Sequence, residues 1–193
     1  MKSVILGLAI AASFTAPAFA ALKVGDTAPD FTATASLGGK DFTFKLADAL
    51  KKGPTVVYFY PSAYTGGCDL EAHTFAESKE KFDAAGASII GVSGDNLERL
   101  NQFSADPNFC AGKFPIASDA DTKIAQSYAL NVTPPRAGAK DVNQTEINHA
   151  FIERVTYVVG KDGKILAVMS SKADGLSPDQ HVDKSLAIIT ASK

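Results

Sequence analysis

The sequence contains no tryptophan, and only two cysteines, two methionines and three histidines occur in its 193 residues. So few thiols exclude the cysteine-dense scaffolds in which disulfides substitute for a core. His73, His149 and His181 stand far apart, and no Cys/His/carboxylate group has metal-ligand spacing. No metal is therefore expected, and the histidines read as solvated or hydrogen-bonded side chains. The C-x-x-C pair of a thioredoxin-type redox motif is missing, and the glycines around Gly66 lack the Lys-Ser/Thr that completes a phosphate loop. Basic clusters are absent too, and the formal net charge is −2. That balance argues against nucleic acid as a partner, and against anionic lipid. Beyond the N-terminus no apolar run is long enough to cross a bilayer, and there are no repeats or low-complexity segments.

The N-terminus itself is apolar. "MKSVILGLAIAASFTAPAFA" has Lys2, then an apolar run, then the small-residue pattern Ala18-Phe19-Ala20. This is the layout of a cleaved secretory signal peptide. Ser13, Thr15 and Pro17 interrupt the run, which argues against a membrane anchor. The expectation is a leader over residues 1–20, cut after Ala20, and one mature domain over 21–193, periplasmic or secreted and free of the membrane. In an oxidising compartment Cys68 and Cys110 are expected to pair, for stability or for chemistry. A domain of this length does not need a disulfide to fold, so the structural explanation is the weaker one.

The remainder alternates. "LKVGDTAPDFTATASLGGKDFTFKL" reads as a loop and then an N-terminal β-hairpin, with Phe42 and Phe44 in alternation. "TVVYFY" is a β-branched and aromatic run suited to a strand covered on both faces, and "SIIGVS" is a second. After Cys68, "DLEAHTFAESKEKFDAAG" puts Ala72, Phe75, Ala76 and Phe82 at helical spacing. Glu71, Glu77, Glu80 and Lys81 fall on the opposite, wet face, and Gly86 ends the helix. "DNLERLNQFSA" predicts another helix, with Cys110 at its end, and "DADTKIAQSYAL" a short one capped by Asp121. Residues 131–149 predict a long loop. "VTYVVGKDGKILAVM" is a hairpin turning at Asp162-Gly163, and Ser177, Pro178 and Gln180 open a last helix with a capping box. The order predicts an α/β domain of three layers, a mixed sheet between helices.

Cys68 ends the loop "PSAYTGGC" between a strand and a helix. A helix starting there aims free N–H groups and its positive dipole end at the sulfur, which favours the thiolate. Gly66 and Gly67 permit a tight turn and close approach, Thr65 offers a hydroxyl, and Pro61 fixes the exit from the strand. Together these features describe an activated cysteine.

Pro61-x-x-x-Thr65-x-x-Cys68 resembles the active-site signature of the peroxiredoxins, thiol peroxidases of the AhpC/TSA type. The likeness extends to Glu71, through "SIIGVSGDNLERLNQF" and "FPIASDADTKIAQSYAL", and to Arg154 in "ERVTYVVGKDGKIL". It is greatest to the bacterioferritin-comigratory, or peroxiredoxin Q, branch, although Gly66 replaces a proline common there. The resemblance implies a thioredoxin-like fold and reduction of hydrogen peroxide and organic hydroperoxides through a Cys68 sulfenic acid, without a cofactor. It implies a thiol reductant, either a thioredoxin-like or glutaredoxin-like protein or a small thiol, and a monomer or homodimer. Thr65, Arg154 and the Cys68 N–H would be the donors, Pro61 would shape the pocket, and Gly67 and Glu71 would line the substrate site; for Glu71 a surface acid and a group that orients Arg154 both stay open.

Ionisation alone cannot make such a thiol fast. About 3% of ordinary thiols are ionised at pH 7, so full ionisation gains only about 30-fold. The larger contribution must come from donors aimed at the transferring oxygens.

Five residues past Cys68, where one peroxiredoxin Q type carries its second cysteine, stands His73. Other members carry the resolving cysteine on the helix after the second strand, which Cys110 matches. The resemblance therefore implies Cys110 as the resolving thiol, closing an intrachain disulfide with Cys68. A permanent Cys68–Cys110 disulfide in a non-catalytic interaction domain, an unpaired Cys110, and a thiol–disulfide exchanger stay open as alternatives.

Overall fold

The computed structural model describes residues 21–192, and a seven-stranded mixed sheet organises it. The first half of the chain forms β1 (Thr32–Leu37), β2 (Lys40–Lys45), α1 (Leu46–Lys52), β3 (Thr55–Phe59), α2 (Gly66–Ala84), β4 (Ser88–Ser93) and α3 (Leu97–Ala105). The second half forms β5 (Ile116–Ser118), α4 (Lys123–Ser127), β6 (Val132–Thr133), β7 (Phe151–Ile152), β8 (Val155–Val159), β9 (Ile165–Ser170), α5 (Ser171–Asp174) and α6 (Pro178–Ala191). The sheet order is β2-β1-β5-β4-β3-β8-β9, and β6 pairs with β7 separately. The leader expected over residues 1–20 lies outside the described residues.

The continuous apolar run that predicted a doubly covered strand becomes β3, every residue of it buried, with β4 parallel on one side and β8 antiparallel on the other. Its alternation divides the core. Val56, Tyr58 and Tyr60 face a cluster with Phe75, Phe82, Leu100, Phe103, Val182 and Ile189 from α2, α3 and α6. Val57 and Phe59 face Leu46 and Ala49 of α1, and Ala125 and Tyr128 of and just after α4. These are the three layers expected. Each large side chain fully buried here is worth about 1.5–3 kcal/mol relative to exposure.

One glycine matters to this packing. A Cβ on Gly91 of β4 would stand 2.6 Å from Tyr58 Cζ, so only glycine admits that ring between sheet and helices.

The β1–β2 hairpin pairs over Thr32–Lys45 and joins the sheet through β1 beside β5, forming one edge of the same layer. The β8–β9 hairpin turns at Asp162-Gly163 as expected, with Gly163 at φ 79°. Gln180 Oε1 accepts from the Ser177 N–H at 3.0 Å, completing the predicted capping arrangement. The cap of α4 is shared. Asp121, as expected, accepts from the Lys123 N–H (3.3 Å), while Asp119 accepts from the N–H groups of Ile124 (3.0 Å) and Ala125 (2.8 Å). The left-handed turn at Thr122 (φ 58°) swings the helix start back over Asp119 and leaves Asp121 on the surface, paired with Lys123.

Candidate active site

The site lies past the C-terminal end of β3, where the chain loops through Tyr60–Thr65 into α2. Pro61 is half-buried at the strand exit. Tyr64 holds a left-handed backbone (φ 55°), a conformation costing a non-glycine residue about 1–2 kcal/mol. Packing offsets that cost. The Tyr64 ring meets Phe103 and Phe109 edge-on, with centroids 5.0 and 5.5 Å away, and Arg99 lies over its face at 5.2 Å. The loop is thus set in one shape.

Helix α2 begins at Gly66, earlier than expected, so Cys68 lies inside its first turn rather than before it. The Cys68 N–H donates to the Thr65 carbonyl at 2.7 Å, and the Thr65 hydroxyl donates to the Ser62 carbonyl at 2.8 Å. The Cys68 amide expected as a substrate donor is therefore already engaged. No side chain caps the start of α2.

Arg154 reaches the sulfur from the other side of the sheet seam. The β3–β8 register sets Phe59 opposite Val155, which brings the preceding residue, Arg154, beside the loop that follows β3. Its Nη2 donates to Cys68 Sγ at 3.0 Å, and its Nη1 contacts Glu71 Oε2. Glu71 is completely buried, contrary to the wet face assigned by helical periodicity, because its partner comes from a strand remote in sequence. Gly67 lies against the same guanidinium. A Cβ there would stand 3.3 Å from Arg154 Nη2 and 3.4 Å from Pro178 Cγ, whereas a Cβ at Gly66 meets nothing. The expected residues Cys68, Thr65, Arg154, Gly67 and Glu71 therefore converge, with Glu71 meeting the arginine.

Burial, at 3% exposure, is the largest influence on the Cys68 thiol and pushes it up. Arg154, the Thr65 hydroxyl and the Ser62 backbone pull the other way, while Glu71 pushes up. Burial likewise raises the Glu71 carboxyl to about 7 against the pull of Arg154. The lowered thiol pKa expected from the helix start alone is therefore not found: burial outweighs Arg154, its largest counterweight, and the Cys68 thiol lies above its ordinary value.

A second polar cluster, not anticipated by any local pattern, fastens the loop. Asp95, fully buried just past β4, accepts from the Ala63 N–H (2.9 Å), the Ser93 hydroxyl (2.8 Å) and Arg99 Nε (2.8 Å). His149 Nε2 lies 2.9 Å from the same carboxylate and 3.1 Å from Ser62 Oγ. Arg99 also bonds the Ala63 carbonyl (2.8 Å) and pairs with Asp141 (2.8 Å). Ser, His and Asp meet here, but not as a hydrolytic triad. One nitrogen faces both Ser62 and Asp95, while Nδ1 lies 2.9 Å from the Ala150 carbonyl.

Cys110 sits in different surroundings. Helix α3 ends at Ala105, so Cys110 lies in the irregular turn beyond it, not at the helix end as expected. Its side chain is fully buried in the cluster that holds Tyr58, Tyr60, Phe103 and Phe114, and burial pushes its thiol far up. Ala111 (φ 51°) and Gly112 (φ 65°) turn the chain, and two side-chain contacts tie the turn to α2: His73 Nδ1 with the Asn108 carbonyl (3.0 Å) and Lys113 Nζ to the Ala76 carbonyl (3.1 Å). Both cysteines are free thiols.

Residues 24–168 match the AhpC/TSA family. A Mycobacterium tuberculosis protein named as a peroxiredoxin is 32% identical over 170 residues, spanning 88% of this chain and 97% of that one. The chloroplastic peroxiredoxin Q of Sedum lineare is 29% identical over 175 residues, spanning 91% and 82%. Among solved structures, the peroxidoxin BcpB of Mycobacterium tuberculosis superposes with a TM-score of 0.73 at 30% identity, over 89% of this chain and 99% of that one. The bacterioferritin comigratory protein of Xanthomonas campestris gives 0.63 at 28% identity, over 82% and 90%. The fold is accordingly the thioredoxin-like one. With a thiol, a guanidinium and a helix start converging at the position where the family signature falls, the chain belongs to the AhpC/TSA family and is a peroxiredoxin, a thiol-dependent peroxidase.

Proposed function

We propose that this peroxiredoxin reduces hydrogen peroxide and organic hydroperoxides at Cys68 and resolves the product with Cys110. The observation that carries the reading is Arg154 Nη2 held 3.0 Å from a buried Cys68 Sγ. The Cys68 thiolate attacks one peroxide oxygen and the O–O bond breaks. The other oxygen takes a proton and leaves as water or alcohol, and Cys68 becomes a sulfenic acid. Arg154 favours the thiolate first and the charge developing on the oxygens second. The uncapped first turn of α2 leaves the Gly67 amide to face the same oxygens.

Cys110 then attacks the Cys68 sulfur, releasing water and leaving an intrachain disulfide, which a thiol reductant returns to two thiols. The Cα atoms must come within about 7 Å for this bond, so the Cys110 turn has to leave its aromatic surroundings. Export, resting on the layout of residues 1–20, would place the reaction in the periplasm or outside the cell and require a reductant there. N-terminal sequencing of the protein from its source tests that: a start at Ala21 supports export, and retention of Met1–Ala20 opposes it.

The chemistry is tested by mixing reduced protein with one equivalent of hydrogen peroxide and counting thiols over time. Both thiols should disappear together in the wild type, and no fast loss should occur in Cys68→Ser. Wild-type loss no faster than that of free cysteine defeats the reading, and insulin reduction without peroxide would mark a disulfide exchanger instead.

A further inference from the structure

His149 ends the long loop before β7, and both of its ring nitrogens face oxygens. Nδ1 lies 2.9 Å from the Ala150 carbonyl, and Nε2 lies 2.9 Å from Asp95 Oδ1. Neither a carbonyl nor an ionised carboxylate has a proton to give, and Asp95 is held below the ordinary carboxylate range. In a neutral ring, whichever tautomer is chosen, one lone pair would meet an oxygen lone pair at 2.9 Å. Ser62 Oγ, 3.1 Å from Nε2, can donate to a bare nitrogen only by turning away from Asp95 and the Ala63 carbonyl, each 3.2 Å from it. The geometry is that of an imidazolium.

Charge counting agrees. Asp95 and Asp141 are buried carboxylates, and Arg99 bridges them at 2.8 Å to each. One guanidinium leaves that group one positive charge short, and protonated His149 supplies it. The charged groups around the ring are Asp95 just past β4, Arg99 on α3 and Asp141 in the loop, and Glu98 and Glu146 line the same cleft. Burial and Arg99 oppose the charge on His149, and Asp95 with the Ala150 carbonyl outweighs them.

The cluster is tied to the turn that precedes Cys68. Asp95 accepts from the Ala63 N–H (2.9 Å) and the Ser62 hydroxyl (3.2 Å), and Arg99 donates to the Ala63 carbonyl (2.8 Å). The Ser62 carbonyl accepts from the Thr65 hydroxyl (2.8 Å), and the Thr65 carbonyl accepts from the Cys68 N–H (2.7 Å). A Cβ on Gly94 would stand 2.6 Å from the Ala150 carbonyl and 3.0 Å from His149 Nδ1, so the histidine lies directly against the backbone past β4.

We propose that His149, as an imidazolium, is a positioning residue for Cys68: its charge holds the Ser62–Thr65 turn to Asp95, and loss of its proton loosens that turn and misaligns the sulfur with Arg154. The inference deepens the peroxidase reading and rests on it for turnover, whereas its effect on thiol reactivity does not. Ionisation of the thiol makes Cys68 faster as pH rises, and loss of the His149 proton makes it slower. The two titrations oppose each other and are separable.

The test compares wild type, His149→Gln and His149→Phe as full chains between about pH 6 and pH 10, a span that contains the titration of a raised histidine. Iodoacetamide alkylation of Cys68 is followed by site-resolved mass spectrometry, beside the rate of hydrogen peroxide consumption, and the wild-type ring is titrated by ¹⁵N NMR. In wild type both rates should fall about threefold below the curve for thiol ionisation alone, the lower end of what one hydrogen bond contributes, with a midpoint matching the ring titration. His149→Gln keeps an N–H donor without a titrating proton. Its profile should match the wild type at the acidic end and then follow thiol ionisation alone. His149→Phe should be about threefold slow throughout. A merely structural histidine would change the melting temperature and leave the shape of the profile as it is. A wild-type profile with the same shape as that of His149→Gln overturns the proposal, as does a ring that loses its proton below the ordinary histidine value of about 6.5. Should the variants not fold, the wild type decides: a shortfall in rate centred on the ring titration supports the proposal, and its absence opposes it. If alkylation shows the shortfall while peroxide is consumed no faster than by free cysteine, the positioning role stands and the peroxidase reading fails.

Discussion

Cys68 and Cys110 are almost equally hidden, 3% and 0% exposed, yet their surroundings assign them opposite chemistry. Cys68 sits in the first turn of a long helix with a guanidinium 3.0 Å from its sulfur. Cys110 sits among phenol and phenyl rings, with no cation among the groups that act on it; Asp106 and Asp69 reinforce what burial already does. Burial raises both thiols. Only at Cys68 is there a counterweight, so exposure does not distinguish the two thiols. The compensating charge does.

The comparison breaks most severely if the counterweight is removed. Arg154→Met should slow reaction of Cys68 with peroxide by at least about 10²-fold, read by stopped-flow mixing. The pH at which Cys68 alkylation half-rises should move upward as well, while Cys110 alkylation stays as slow as before. Displacing the guanidinium should act in the same direction but less. Gly67→Ala puts a methyl 3.3 Å from Arg154 Nη2 and should slow the peroxide step about tenfold, measured in the same way.

A third change separates the two cysteines by step. A Cβ at Gly66 meets nothing, and the residue is the first of α2, a position where proline fits. Gly66→Pro should raise stability by about 0.4–1 kcal/mol in chemical denaturation. It should leave the first step unchanged and slow disulfide formation a few-fold, since the first turn yields less readily; an unchanged disulfide rate would show that only the Cys110 turn moves.

What could be read in advance followed the range of each interaction along the chain. The strands, both hairpins and the capping box at Ser177 were legible because periodicity and turn chemistry are local. Cys68, Thr65 and Arg154 were legible as a pattern, although their contact is made only by the β3–β8 register. Glu71 was misplaced on the wet face because helical periodicity treats a carboxylate as solvated, and its partner lies on another element. The share of Asp119 in the α4 cap is not legible, because nothing local announces the left-handed turn at Thr122 that brings the helix start over it. The Asp95 cluster joins four separate segments, and no window of sequence contains it.

That cluster gives the smallest expected effect. Burial disfavours charge on His149, but its hydrogen bond to Asp95 outweighs this and holds the imidazole above its usual value. The His149 contribution to stability is therefore complete below about pH 6.5 and lost as pH rises through the folded value. Asp95, held below its usual value despite burial by His149 and by the Ala63 and Ser93 donors, contributes above the ordinary carboxylate range and loses that contribution in acid. The melting temperature should thus fall between about pH 6 and pH 9, and His149→Gln should flatten that slope. A slope unchanged by His149→Gln would place the pH dependence elsewhere and leave the loop beside Cys68 without this fastening.

The most direct test of the division between the two cysteines is site-resolved trapping of the oxidised sulfur. Reduced Cys110→Ser and Cys68→Ser proteins are each given one equivalent of hydrogen peroxide with dimedone present, and the adduct is located by mass spectrometry. The expected result is prompt, near-stoichiometric adduct on Cys68 in the first variant and none on Cys110 in the second. Equal labelling of Cys110, or slow labelling of both, would contradict the claim that the charge beside Cys68, rather than burial, sets which thiol meets peroxide.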